Sequence, residues 1–162
     1  MTRPAARVAT ARGATDGGRV LADINVLVAL AWPNHVHHLA ALSWFGDPQR
    51  RKFATCPVTQ SGFVRVSSNS RAIPGARSPR ESREILRRIT DLPGHLFWED
   101  DIDLARDARI AWDRLGNHSQ VTDAHILAIA LRHGGSLVTL DRGIANLIPS
   151  GAAAQSVVLI NA

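Results

Sequence analysis

Short uninterrupted apolar runs alternate along this chain with longer segments in which apolar residues return at helical spacing. The runs at 20–24, 53–58, 96–98, 137–140 and 157–160 predict five strands. Between them, helices are expected at 26–32, 37–45 and 59–66, the last capped by Thr59. Ser78-Pro79-Arg80-Glu81 combines a capping box with proline at the first helical position, so a helix should run from there to about Asp91. Leu104, Ala108, Ala111, Trp112 and Leu115 share one side of a helix expected over 102–115. Residues 121–132 are apolar nearly all round and predict a buried helix closed by Gly134-Gly135. Strands that alternate with helices imply right-handed parallel crossovers, hence a three-layer α/β/α fold around a central parallel sheet of about five strands.

Length and composition place that fold in one domain. The 162 residues are 45% hydrophobic, enough for a single sizeable core. Residues 1–19 lack hydrophobic periodicity and read as a disordered basic extension; the domain is expected to occupy 20–162. No run is long enough to span a membrane, and the basic start has no apolar core of a secretory signal. Cys56 stands alone, which fits a reducing cytoplasm, and its surroundings suggest a buried strand position.

The net charge is +5, carried by arginine apart from Lys52. Arginine suits bidentate phosphate contacts, and a basic surface favours polyanions such as RNA. Three of those five charges fall before Val20, so the folded part is only mildly basic.

The candidate chemistry lies in three acids at the ends of apolar segments. Asp23 closes Val-Leu-Ala-Asp, Asp141 closes Leu-Val-Thr-Leu-Asp, and Asp123 opens Asp-Ala-His-Ile-Leu-Ala-Ile-Ala-Leu. A buried parallel strand ending in an acid sets the carboxylate at the carboxyl edge of the sheet, where ligand sites of open α/β sheets lie. Three carboxylates gathered there repel unless a cation separates them, and hard oxygen donors suit Mg²⁺ or Mn²⁺. The pattern predicts metal-dependent chemistry on a phosphate-bearing substrate. Each acid also has a plain structural reading: Asp23-x-Asn25 as a helix cap, Asp123 as an acid favoured by a helix dipole, Asp141 as a turn residue. Asn25 is placed to hold the neighbouring carboxylate by hydrogen bonding. Thr139 is placed to orient a carboxylate or phosphate oxygen, or is an ordinary strand residue.

Leu-Ala-Asp-Ile-Asn-Val-Leu, Asp-Ala-His-Ile-Leu-Ala-Ile-Ala and Leu-Val-Thr-Leu-Asp-Arg-Gly together resemble the PIN-domain ribonucleases, with the nearest likeness to VapC-type toxins of bacterial toxin–antitoxin pairs. The segments Asn34-His35-Val36-His37-His38 and Thr59-Gln60-Ser61-Gly62-Phe63-Val64-Arg65 look like one actinobacterial branch of that group. The resemblance covers the chain from about Val20 onward. It implies a five-stranded parallel sheet and a Mg²⁺- or Mn²⁺-dependent RNA-cleaving site at Asp23, Asp123 and Asp141. It also implies a homodimer and a small cognate antitoxin of the VapB type. Many members carry a glutamate where this chain has Gln60, whose carbonyl can still coordinate a metal or a metal-bound water. On that alignment, Gln60→Glu should tighten metal binding. Asp100 and Asp101 were the acids available to compensate, with capping of a helix near Ile102 as the plainer role. Arg65 is a candidate phosphate clamp, or a solvated helix arginine. His35, His37 and His38 fit helix-start and packing roles better than a zinc site. His125 reads as packed, and the four tryptophans as lying on apolar faces.

Two function classes remain. One is a toxin endoribonuclease that inhibits translation or growth by cleaving RNA. The other is a catalytically silent RNA- or protein-binding module, kept open by Gln60. A phosphatase with Asp23 as nucleophile fits poorly, since Asn25 stands where a second acid would be needed. A dinucleotide site is excluded because no Gly-x-Gly-x-x-Gly follows the first strand.

Overall fold

Alternation within each strand decides which helix covers which face. The structure, a computed structural model, describes residues 18–48 and 52–161. In the first strand, β1 (Val20–Ala22), Val20 and Ala22 pack to one side and Leu21 to the other, the period of two that a sheet buried on both faces requires. β1 is flanked by β2 (Phe53–Thr55) and β4 (Ser136–Thr139), with β3 (His95–Phe97) and β5 (Val157–Leu159) outside them. The order is β3-β2-β1-β4-β5 and every pairing is parallel. Ala22 faces Val138 in register, so the residues after β1 and β4 emerge side by side at the carboxyl edge.

Four helices cover the Val20/Ala22 face: α1 (Ile24–Ala31), α2 (His38–Gly46), α3 (Pro57–Ser67) and α4 (Pro79–Thr90). The other face is covered by α5 (Ser119–Arg132), whose Ile126, Leu127 and Ile129 are almost wholly buried against Leu21, Ala54 and Leu137. Truncating any of those three to alanine costs about 2–5 kcal/mol, because the lost contacts leave a cavity. α4 carries the expected capping box: Ser78 Oγ accepts from the Glu81 amide at 3.3 Å, and Glu81 Oε2 accepts from the Ser78 amide at 2.9 Å.

α1 and α3 touch closely at Gly62, where an added Cβ would stand 2.3 Å from Ile24 Cδ1. Ile24 directly follows Asp23, so this contact sets the position of the strand end.

Three expectations change. No α-helix forms over 102–115; turns and a single 3-10 turn at Trp112–Arg114 take its place. Acids spaced along the segment offer its backbone another partner: Asp100 Oδ1 accepts from the Ile102 amide, Asp103 Oδ1 from Ala105 and Asp107 Oδ1 from Arg109, at 3.2, 3.0 and 2.9 Å. These side-chain-closed turns compete with helix. Trp112 is accordingly 48% exposed rather than packed, whereas Trp44 and Trp98 are buried. Second, β2 stops at Thr55, and buried Cys56 caps α3 in place of Thr59. Thr59 is the third helical residue, its Oγ1 accepting from the Cys56 amide at 2.9 Å. Third, α5 starts at Ser119, so Asp123 lies in its second turn and is no helix-end acid. The expected extension falls outside the described residues except for Gly18 and Arg19.

Candidate active site

Asp23 leaves β1 with its amide bonded to Val138 O at 2.9 Å, which ties the strand end to β4. It occupies the cap position of α1, yet its side chain makes no capping bond to that helix's first turn. Its Oδ2 instead accepts from Thr139 Oγ1 at 2.6 Å. The same Oγ1 accepts from Asn25 Nδ2 at 3.2 Å and from the Asp141 amide at 3.0 Å. One donor and two acceptor sites exhaust what a hydroxyl offers. Thr139, wholly buried at the end of β4, is therefore a saturated hub with its proton directed at Asp23. Asn25 Oδ1 accepts from the Leu140 amide at 3.2 Å, so Asn25 reaches the carboxylate through Thr139.

Burial pushes the Asp23 carboxyl from 3.8 up to about 6. The Thr139 hydroxyl opposes that rise, Asp123 adds to it, the Ile24 amide opposes it and Asp141 adds to it again. Asp123, projecting from α5, is itself raised, first by burial and then by Asp141. Asp141 Oδ1 accepts from the Gly143 amide at 2.7 Å and so also closes a turn. The three acids thus share one edge and act on one another electrostatically. Among the described residues, no three His, Cys, Asp or Glu side chains form a ready-made metal-holding group. Three carboxylates are hard oxygen donors, the donor type that suits Mg²⁺ or Mn²⁺.

Asp23 and Asp123 open into a cleft of about 620 Å³ that also takes in Asn25, His35 and Arg65. Gln60 does not line it. Its Nε2 donates to Thr55 Oγ1 at 2.9 Å, and that oxygen also meets His95 Nε2 on β3 at 2.8 Å. Gln60 thus addresses the β2–β3 side of the edge, away from Thr139 on β4. Asp100 and Asp101 are engaged elsewhere. Asp100 pairs with His125 at 2.9 Å and Asp101 with Arg132 at 2.8 Å. The Asp100–His125 pair, 25 residues apart in sequence, had no signal in local spacing.

The fold and the three edge acids coincide with a known family. A PIN domain is matched over residues 20–147. The chain belongs to the PIN-domain family. Among curated PIN-family relatives, it is 44% identical to Ribonuclease VapC39 of Mycobacterium tuberculosis over 131 residues, 81% of this chain and 94% of that protein. Ribonuclease VapC38 of the same organism is 42% identical over 127 residues, 78% of this chain and 88% of the relative. Ribonuclease VapC44 is 39% identical over 137 residues, 85% and 96% of the two chains. The matched PIN region holds all three edge aspartates, together with Asn25, Thr139 and Arg65.

Proposed function

We propose that this PIN domain is a Mg²⁺- or Mn²⁺-dependent endoribonuclease, the toxin of a toxin–antitoxin pair that inhibits translation or growth by cleaving RNA. The observation that carries the reading is the coupling of Asp23, Asp123 and Asp141 at one sheet edge, with burial and the other two acids raising Asp23 to about 6. Relatives named as ribonucleases support the substrate class.

In this reading Asp23, Asp123 and Asp141 hold the cation. When bound, the ion neutralises phosphate charge and acidifies a water for attack at phosphorus. Thr139 fixes the Asp23 carboxylate by donating to its Oδ2. Asn25 keeps the Thr139 hydroxyl from rotating away. Arg65, on the cleft wall, is the phosphate clamp.

An apolar strip supports the protein partners of this reading. Val36 is 86% exposed and Leu39 78%, with Leu42 beside them on α2. Such a strip suits a VapB-type antitoxin or the second copy of a homodimer. The reading places the protein in the cytoplasm with its RNA, where the reduced thiol of Cys56 also fits. No described helix is long and apolar enough to cross a membrane. The alternative of a catalytically silent RNA- or protein-binding module turns on Gln60, whose amide donates to Thr55, and cleavage by the purified chain decides between the two.

The test is cleavage of a long RNA by the purified chain with Mg²⁺ or Mn²⁺, compared with Asp23→Asn. Metal-dependent cleavage that the substitution abolishes is expected. Cleavage that survives either chelation or Asp23→Asn would overturn the assignment.

A further inference from the structure

The cleft beside the carboxylates is larger and more apolar than phosphate binding needs. Its volume of about 620 Å³ lies within the range of roughly 300–1,000 Å³ typical of small-ligand sites. One side of it is apolar, with Val28 on α1, Val66 on α3, and Ala72 and Ile73 in the connection to α4, while His118, Ser119 and Thr122 line it at the start of α5. A phosphate has no use for such a surface, whereas the face of an unpaired base does.

One polar side chain of the cleft has a fixed donor pattern. His35 lines the cleft, and its Nδ1 accepts from the His37 amide at 3.1 Å. Nδ1 is therefore unprotonated, and the neutral ring carries its hydrogen on Nε2. Burial, then His37 and His38, lowers the pKa of His35 and favours that neutral form. His35 thus offers one donor without adding charge. That suits a base carbonyl or ring nitrogen better than a phosphate.

The wall is also built in advance. Trp32 Nε1 donates to Ser67 Oγ at 3.2 Å, joining the ends of α1 and α3. The Ala72 and Ile73 amides both bond to Asn69 O at 3.0 Å, and the Arg77 amide returns to Ser67 O at 3.1 Å. A preformed pocket orders its ligand at lower entropic cost.

We propose that this part of the cleft is a nucleobase subsite: it receives one unpaired base of the RNA next to the scissile phosphate, packs its face on Val28, Val66, Ala72 and Ile73, and reads its edge with His35. The proposal rests on the RNA reading given above and adds what selects the cleavage site. Arg65, on the same wall, contacts backbone phosphate and is indifferent to the base.

The test measures binding and cleavage separately. With metal removed by EDTA, the full chain is titrated with labelled ribotetramers of A, C, G or U and with an abasic tetramer of the same charge. At least one base is expected to bind roughly tenfold tighter than the abasic chain, the scale of discrimination an apolar pocket provides. Ala72→Trp, at an exposed position, fills the pocket and should bring all four tetramers down to the abasic level. His35→Ala should compress the differences among the bases, and Arg65→Ala should weaken all five ligands alike. Equal binding of base-bearing and abasic tetramers by the wild type would overturn the subsite, as would variants at 35 and 72 that change all five equally. Cleavage of a long RNA with Mn²⁺ is scored on the same preparations. Base-dependent binding without cleavage would sink the nuclease reading alone. Cleavage whose flanking-base preference ignores both variants would sink the subsite alone.

Discussion

Two threonines end adjacent parts of one sheet, and only one of them serves the candidate site. Thr139 closes β4 and Thr55 closes β2; both are wholly buried, and both hydroxyls join side chains from different elements. Around Thr139 the network takes in Asn25, the Asp141 amide and the Asp23 carboxylate. Around Thr55 it takes in Gln60 and His95, with no acid. Burial lowers the pKa of His95 against the opposing charge of Asp91, which favours a neutral imidazole in this second network. Strand-end geometry supplies the hub in both places. Charge in the partners is what separates the two hubs: Thr139 addresses a carboxylate, and Thr55 addresses an amide and an imidazole.

The largest effect expected is that of Asp23→Asn. Cleavage should fall by roughly a hundred- to a thousandfold, the scale of removing one group aimed at developing charge. The metal-free protein should become more stable at neutral pH, because a buried charge is removed and Asn still accepts from Thr139. The rise from 3.8 to about 6 sets an upper bound of about 3 kcal/mol on that gain. A melting curve and a cleavage assay on the same sample check both halves.

Next in size is the contrast between Thr139→Val and Thr55→Val. Each removes a buried hydroxyl and leaves partners unsatisfied, so each should cost about 1–3 kcal/mol of stability. Only Thr139→Val should also lower Mn²⁺ affinity or cleavage, by roughly 10–100-fold as for other supports of metal ligands. Equal losses of cleavage in the two variants, once corrected for unfolding, would erase the distinction between the hubs.

A smaller effect is predicted from pH. The Asp23 carboxyl is raised in the folded protein, so the fold binds a proton there more tightly than the unfolded chain. Its contribution is complete below 3.8 and is lost as pH rises through about 6. Through Asp23, metal-free protein should therefore melt a few degrees lower at pH 7.5 than at pH 5. Mn²⁺ should restore stability at pH 7.5 and do little at pH 5, where the proton competes. The decisive comparison is Asp23→Asn, in which this pH-dependent component should vanish.

The two hubs also mark what could be read along the chain. Five apolar runs and the Ser78–Glu81 capping box stand out because strands and caps are local patterns. Asp23 and Asp141 stand out because each follows such a run. Hidden from that reading were partners distant in sequence: Thr139 with Asp23, Thr55 with His95, and Asp100 with His125. The segment 102–115 misled because its apolar spacing is helical while Asp100, Asp103 and Asp107 close turns that the spacing does not register. Gln60 misled differently. Its place on α3 is as expected, but the side chain's direction depends on Thr55, which only the packed sheet edge reveals.

The smallest expected effect is that of Gln60→Glu on the metal. Alignment with a family glutamate predicts tighter binding. The hydrogen bonds predict otherwise. The new carboxylate would replace a donor by an acceptor beside Thr55 Oγ1, and the hydroxyl would turn to donate to it. His95 Nε2 would then have to donate to Thr55, which a protonated or Nε2–H imidazole can do. The added charge should thus be felt by His95, raising its pKa, rather than by an ion among Asp23, Asp123 and Asp141. Calorimetric titration with Mn²⁺ should give affinities for wild type and Gln60→Glu within about twofold, well below the tenfold that 1.4 kcal/mol represents. The titration of His95, followed by NMR, should move upward in the variant. A marked gain in Mn²⁺ affinity with an unmoved His95 would return Gln60 to the metal site and merge the two networks into one.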